Sequence, residues 1–144
     1  MELRAEVEIH APPEAVFRVL TDFARYPEWN PFIVEISGRP AVGERLHVVI
    51  SPPGGREMTF RPKVLAAEPN QELRWLGHFL VRGLFDGEHF FRLVPVGADK
   101  TRFVQGEDFR GLLVKPMTHL LTNTARGFVF MNQALKKRVE SGPT

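Results

Sequence analysis

The chain has 144 residues, a length that suits one domain spanning 1–144 with a core of its own. A hydrophobic fraction of 43 % and a charged fraction of 25 % are those of an ordinary globular protein. The formal net charge of +2, with arginines from Arg4 to Arg138 and no basic block, argues against a nucleic-acid partner. The absence of cysteine excludes disulfides, thiol nucleophiles and thiolate metal sites. The N-terminus alternates charged and apolar residues, unlike a signal peptide, and no apolar run approaches a membrane span, so a cytoplasmic protein without stable membrane insertion is expected.

Leu3, Ala5, Val7 and Ile9 alternate with Glu2, Arg4, Glu6 and Glu8, the period of a half-buried strand. Pro12 and Pro13 then suit a helix start, and Val16, Phe17 and Leu20 form its apolar stripe. Asp22 opens a second short helix that Pro27 is expected to end. The next stretch, "YPEWNPF", carries Tyr26, Trp29 and Phe32 between and around two prolines. Aromatics are costly to leave in water, so this turn either plugs a core or borders a pocket. Pro31 forces Asn30 to be extended, which launches a strand.

Strand patterns follow in "FIVEIS", "RLHVVIS", "MTFRPKVLAA", "LRWLGHFLV", "EHFFRLVPV" and "TRFVQGEDF", separated by links rich in Gly, Pro and Asn. With the first strand this makes about seven, and the short links imply antiparallel pairing. The last element, from about Pro116 to Glu140, places Met117, Leu121, Phe128, Met131, Leu135 and Val139 on one helical face, with a local bend possible at Gly127. Strands segregated from helices indicate an α+β fold, with a long helix laid across a twisted sheet and a cleft between them.

The runs "DFARYPEWNPFIVEISG", "VGERL", "FDGEHFFRL" and "MNQALKKRVE" resemble the SRPBCC (START-like, polyketide cyclase/dehydrase and lipid-transport) superfamily, over nearly the whole chain. The resemblance implies a helix-grip fold: a curved seven-stranded antiparallel sheet around the C-terminal helix, two short helices after the first strand, and an internal cavity. In that fold Trp29 and Phe32 wedge the closure at one end of the sheet, and Trp29 lines the cavity wall in the functional reading.

Strand parity supplies the candidate site residues. Leu73, Trp75, Gly77 and Phe79 share one face, as do His89, Phe91 and Leu93, and Phe103, Gln105, Glu107 and Phe109. If the last hairpin pairs Leu93 with Phe103, then Phe91 faces Gln105 and His89 faces Glu107. His89 and Glu107 are the candidate general acid/base or ligand-anchoring pair, with Gln105 orienting the ligand; a purely structural pair is the alternative. Trp75, Phe79, Phe91, Phe103, Phe128 and Met131 are expected to line the cavity. Leu84 and Phe85 either pack on the long helix or form a rim over its mouth, and Phe130 meets a sheet edge or a second subunit.

No pair of histidines has metal-ligand spacing, and no nucleophile elbow, phosphate loop or dinucleotide fingerprint occurs, so neither metal nor cofactor is expected. The leading reading is a monomeric or homodimeric binder of a hydrophobic small molecule (lipid, isoprenoid or polyketide-like). An enzyme of the cyclase/dehydratase type is the second, and a chaperone-activator-like interaction module the third.

Overall fold

The structure, a computed structural model, describes residues 1–78 and 81–142. Among these residues eight strands form: β1 (Glu2–Ile9), β2 (Ile33–Ser37), β3 (His47–Ile50), β4 (Met58–Phe60), β5 (Lys63–Glu68), β6 (Glu72–His78), β7 (Asp86–Gly97) and β8 (Lys100–Arg110). The α-helices are α1 (Pro13–Thr21), α2 (Tyr26–Trp29) and α3 (Thr118–Glu140). The strands make a five-stranded sheet in the order β1-β8-β7-β6-β5 and a three-stranded sheet in the order β2-β3-β4. Every pairing is antiparallel. α3 packs against β1, with α1 alongside, and the main core lies between helix and sheet. This is the helix-grip arrangement that the resemblance implies.

The eighth strand arises at Pro62. The run "MTFRPKVLAA" reads as one strand, but Arg61 and Pro62 part it into β4 and β5. Proline has no amide hydrogen to give a ladder. Its carbonyl instead accepts from Leu46 N at 2.9 Å, and this bond helps to join the two sheets.

Pro27 does not end a helix. Phe23–Arg25 form a 3-10 turn, and Pro27 sits in the first turn of α2. The amide that proline lacks would have no intrahelical partner there. Asn30 is extended as Pro31 requires, at φ −90° and ψ 112°. Its Oδ1 accepts from Phe32 N and Ile33 N, both at 2.9 Å, which fixes the entry into β2. Pro116 likewise lies in a 3-10 turn, Lys115–Met117, and α3 runs without a break through Gly127.

The aromatic turn therefore plugs a core, and two of its rings carry the load. Tyr26 and Phe32 are fully buried or nearly so, whereas Trp29 is only partly buried. Tyr26 donates its hydroxyl hydrogen to the Leu20 carbonyl. Burial, aided by the Asp22 charge, pushes its phenol far above the usual range. The unfolded chain can lose that proton near pH 10, while the folded chain holds it. Above about pH 10 the folded state binds more protons than the unfolded one, so stability falls with rising pH. The expected slope is about 1.4 kcal/mol per pH unit from this group. Urea unfolding at a series of pH values from about 9 to 11 checks it: Tyr26→Phe should remove that component of the slope, and an unchanged slope would show that the phenol does not set it.

Candidate functional site

The concave face of the large sheet is a lattice of side chains set by register. One row across the strands is Trp75, His89, Glu107 and Leu3; the next is Leu73, Phe91, Gln105 and Ala5. Thus Phe91 does face Gln105, and His89 does face Glu107. On the other side of the Trp75 row lie Gly77, Gly87 and Phe109. Two cross-strand glycines put no side chains into the space beneath α3, and a cavity opens there.

That cavity has a volume of about 60 Å³, room for a few water molecules. Its walls come from four directions. Ile33, Val48, Ile50, Met58 and Phe60 belong to the small sheet, with Pro62 at its border. Trp75, His89 and Glu107 form the inner end, Phe85 and Phe109 the opposite side, and Leu120, Leu121 and Thr124 of α3 the roof, with Phe32 beside them. The lining is almost wholly apolar, and apart from Thr124 on the roof its polar side chains gather at one place.

At that place the polar side chains form a chain. His89 is buried, 4 % exposed. Its Nδ1 lies 3.1 Å from Glu107 Oε1, and its Nε2 lies 2.9 Å from Gln105 Oε1. Gln105 Nε2 donates to Asn132 Oδ1 at 2.8 Å and lies 3.5 Å from the Phe128 carbonyl oxygen. The His89 ring stacks on Trp75, with centroids 5.4 Å apart, lies tilted against Phe91 at 4.6 Å and meets Phe128 edge-on at 5.1 Å. A ring clamped between aromatic neighbours and bonded at both nitrogens is held in one orientation. Glu107 keeps a foothold in the cavity, with its side chain 17 % exposed.

Of the residues expected from sequence, Trp75, His89 and Glu107 line the cavity. Phe91, Phe103, Phe128 and Met131 are fully buried in the main core behind it and form no part of the wall. The reason is the lattice: the rows beyond Trp75 carry large side chains on β6, β7 and β8, and α3 packs its own Phe128 and Met131 onto them. Gln105 is likewise fully buried and reaches His89, not the cavity. Trp29 lies elsewhere, in an outer groove of about 290 Å³ with Arg18, Arg25 and Arg138. There Arg138 donates to Glu28 at 2.7 Å and holds that carboxyl below the usual range. Phe79 falls outside the described residues. Phe85 is both buried and part of the wall, packing with Phe109 and Leu121, and Phe130 is half exposed.

Sequence reasoning missed Asn132, Gly87 and the wall supplied by the small sheet. Asn132 stands one turn beyond Phe128 on the buried face of α3, and that spacing was its signal. Gly87 is visible in "FDGEH" as the position two before His89, on the same face. A Cβ placed on Gly87 would stand 2.2 Å from Glu107 Oε2, so the carboxylate occupies the space this glycine leaves.

Comparison with solved structures places the fold among known ones. A START superfamily protein from Mycobacterium smegmatis is 24 % identical with a TM-score of 0.76, over 97 % of this chain and 97 % of that one. The Zhui aromatase/cyclase from Streptomyces sp. R1128 is 15 % identical with a TM-score of 0.79, over 97 % of this chain and 93 % of that one. A norcoclaurine synthase point mutant from Thalictrum flavum is 18 % identical with a TM-score of 0.76, over 98 % and 94 %. At such identities the likeness is one of fold. No curated protein matches the chain. The family model described as polyketide cyclase / dehydrase and lipid transport matches residues 1–140, from the first strand to the last turn of α3, and the chain belongs to that family.

Proposed function

We propose that the protein binds a hydrophobic small molecule (lipid, isoprenoid or polyketide-like) in the cavity between the sheet and α3, with the ligand's polar end at Glu107 and His89. The observation that carries this reading is the arrangement of the wall: apolar side chains on every side, and one cluster of polar groups at the inner end. Apolar walls with few convergent polar groups are the usual build of a small-molecule site. Family membership supports the same class of ligand. Drug-sized ligands occupy several hundred Å³, so a ligand of that size displaces part of the wall on entry.

An enzyme of the cyclase or dehydratase type acting on such a ligand is the second reading. The His89–Glu107 contact favours it, because an imidazole and a carboxylate at 3.1 Å share a proton that either could pass to a bound substrate. The likeness in fold to an aromatase/cyclase is compatible with it.

Native mass spectrometry of the purified protein and saturation by a hydrophobic fluorescent probe test the binding reading. One probe per chain is expected, displaced by apolar ligands. Gly87→Ala places a methyl where the Glu107 carboxylate stands. It should weaken binding about tenfold, equivalent to about 1.4 kcal/mol, with little loss of stability, because the carboxylate yields by turning away. Absence of saturable binding by the folded wild type would overturn the reading.

A further inference from the structure

We infer that the ligand's polar end is a hydroxyl, because the polar end of the cavity is built to accept a hydrogen bond. The inference rests on the binding reading above and narrows its ligand class. It starts at the buried end of the polar chain. The Phe128 carbonyl belongs to the backbone of α3 and only accepts. Gln105 turns its NH₂ toward that oxygen, at 3.5 Å, and toward Asn132 Oδ1, at 2.8 Å. In this orientation both Gln105 amide hydrogens face acceptors and its oxygen faces the His89 ring. Asn132 holds the arrangement at a cost, since its own Nδ2 is buried without a partner.

The orientation of Gln105 decides the proton on His89. A carboxamide oxygen only accepts, so the 2.9 Å contact with Gln105 Oε1 requires a hydrogen on Nε2. In neutral imidazole Nδ1 is then bare. Yet Nδ1 faces Glu107 Oε1 at 3.1 Å, and a bare nitrogen against a bare carboxylate oxygen makes no bond. One proton therefore lies between them. It sits either on Oε1, donated to Nδ1, or on Nδ1 of an imidazolium, donated to Oε1. The two forms have the same atoms and the same net charge of zero. In both, Glu107 Oε2 carries no hydrogen. Oε2 is also the oxygen beside the gap left by Gly87. Gln105 and Asn132 act here as positioning residues, since neither lines the cavity.

The rest of the wall agrees. Thr124 gives its hydroxyl hydrogen to the Leu120 carbonyl at 2.9 Å and offers the cavity only an acceptor. Trp75 carries the remaining side-chain donor, its indole N–H. A hydroxyl group gives its hydrogen to Oε2 and keeps lone pairs for such a donor. An ether or ketone leaves Oε2 without a partner, and a carboxylate sets charge against it in an apolar wall.

Two measurements on the intact protein test this. In the first, ¹⁵N NMR of the ligand-free protein reports the protonation of the His89 ring, assigned by the signals lost in His89→Gln. An Nδ1 that is protonated, or that accepts a hydrogen from Glu107, leaves Oε2 bare and supports the inference, and an Nδ1 with neither overturns it. Gln105→Leu should release the ring to the Nδ1–H form; should that variant fail to fold, the wild-type spectrum alone decides. In the second, 4-propylphenol, 4-propylanisole and 4-propylbenzoate are compared by calorimetric titration. The phenol should bind about tenfold tighter than the anisole, the scale of one hydrogen bond, and the benzoate weakest. Equal binding of phenol and anisole, or tightest binding of the benzoate, would overturn the inference and leave the cavity reading standing. No binding by any of the three overturns both.

Discussion

Phe128→Ala is expected to lower the free energy of unfolding by about 3–5 kcal/mol, the range for removing a large aromatic side chain from a closed core. The ring is completely buried at the middle of α3. It meets Phe32 edge-on with centroids 5.6 Å apart and His89 at 5.1 Å. Its loss leaves a void bounded by the sheet, the helix and the aromatic turn, none of which can collapse without breaking backbone hydrogen bonds. Urea unfolding reads the effect as a lower midpoint with an unchanged slope. A change below about 1 kcal/mol would mean that α3 sinks to fill the gap.

Gly127→Val should cost about 1–3 kcal/mol through overpacking, although valine is the better helix former by a few tenths of a kcal/mol. A Cβ on Gly127 would stand 2.3 Å from the Phe32 ring. That ring has nowhere to go, because Asn30 fixes the backbone on one side and Phe128 meets it on the other. The sterics therefore outweigh propensity. A stabilised variant in the same unfolding experiment would show that Phe32 can move aside.

The sequence made some levels of this structure readable and hid others. Alternation in β1 and the register of the last hairpin were readable because period two and a short turn leave few choices. The His89–Glu107 and Phe91–Gln105 pairs follow from parity once the hairpin pairs Leu93 with Phe103, as it does. Parity states which face a residue takes but not how far the opposite layer stands from it. Phe91 and Phe103 share the face of Trp75, yet α3 closes on them with Phe128 and Met131 and leaves the cavity over the two glycines. Trp29 misled for a related reason. Three aromatics in one turn look equivalent in sequence, but one turn of helix aims Tyr26 inward and leaves Trp29 beside Arg138. Gly127 read as a possible bend in a helix, and its role as the seat of Phe32 depends on a residue 95 positions earlier in the chain.

The division of the strands into two sheets has a mechanical consequence. Among the described residues, the small and large sheets share a short run of backbone bonds, Gly43 and Glu44 to Val64 and Leu46 to Pro62. The outer wall of the cavity thus hangs like a leaf from two pins, Pro62 and the Asn30 entry into β2. Swinging that leaf breaks side-chain contacts across the cavity and leaves both ladders whole. Amides of β3 and β4 are accordingly expected to exchange with solvent faster than those of β7 and β8, and equal protection would weld the leaf to its frame. If the proposed ligand enters by such a swing, the 60 Å³ is the volume with the leaf at rest, and the stiffness of those two junctions would set how far the pocket opens.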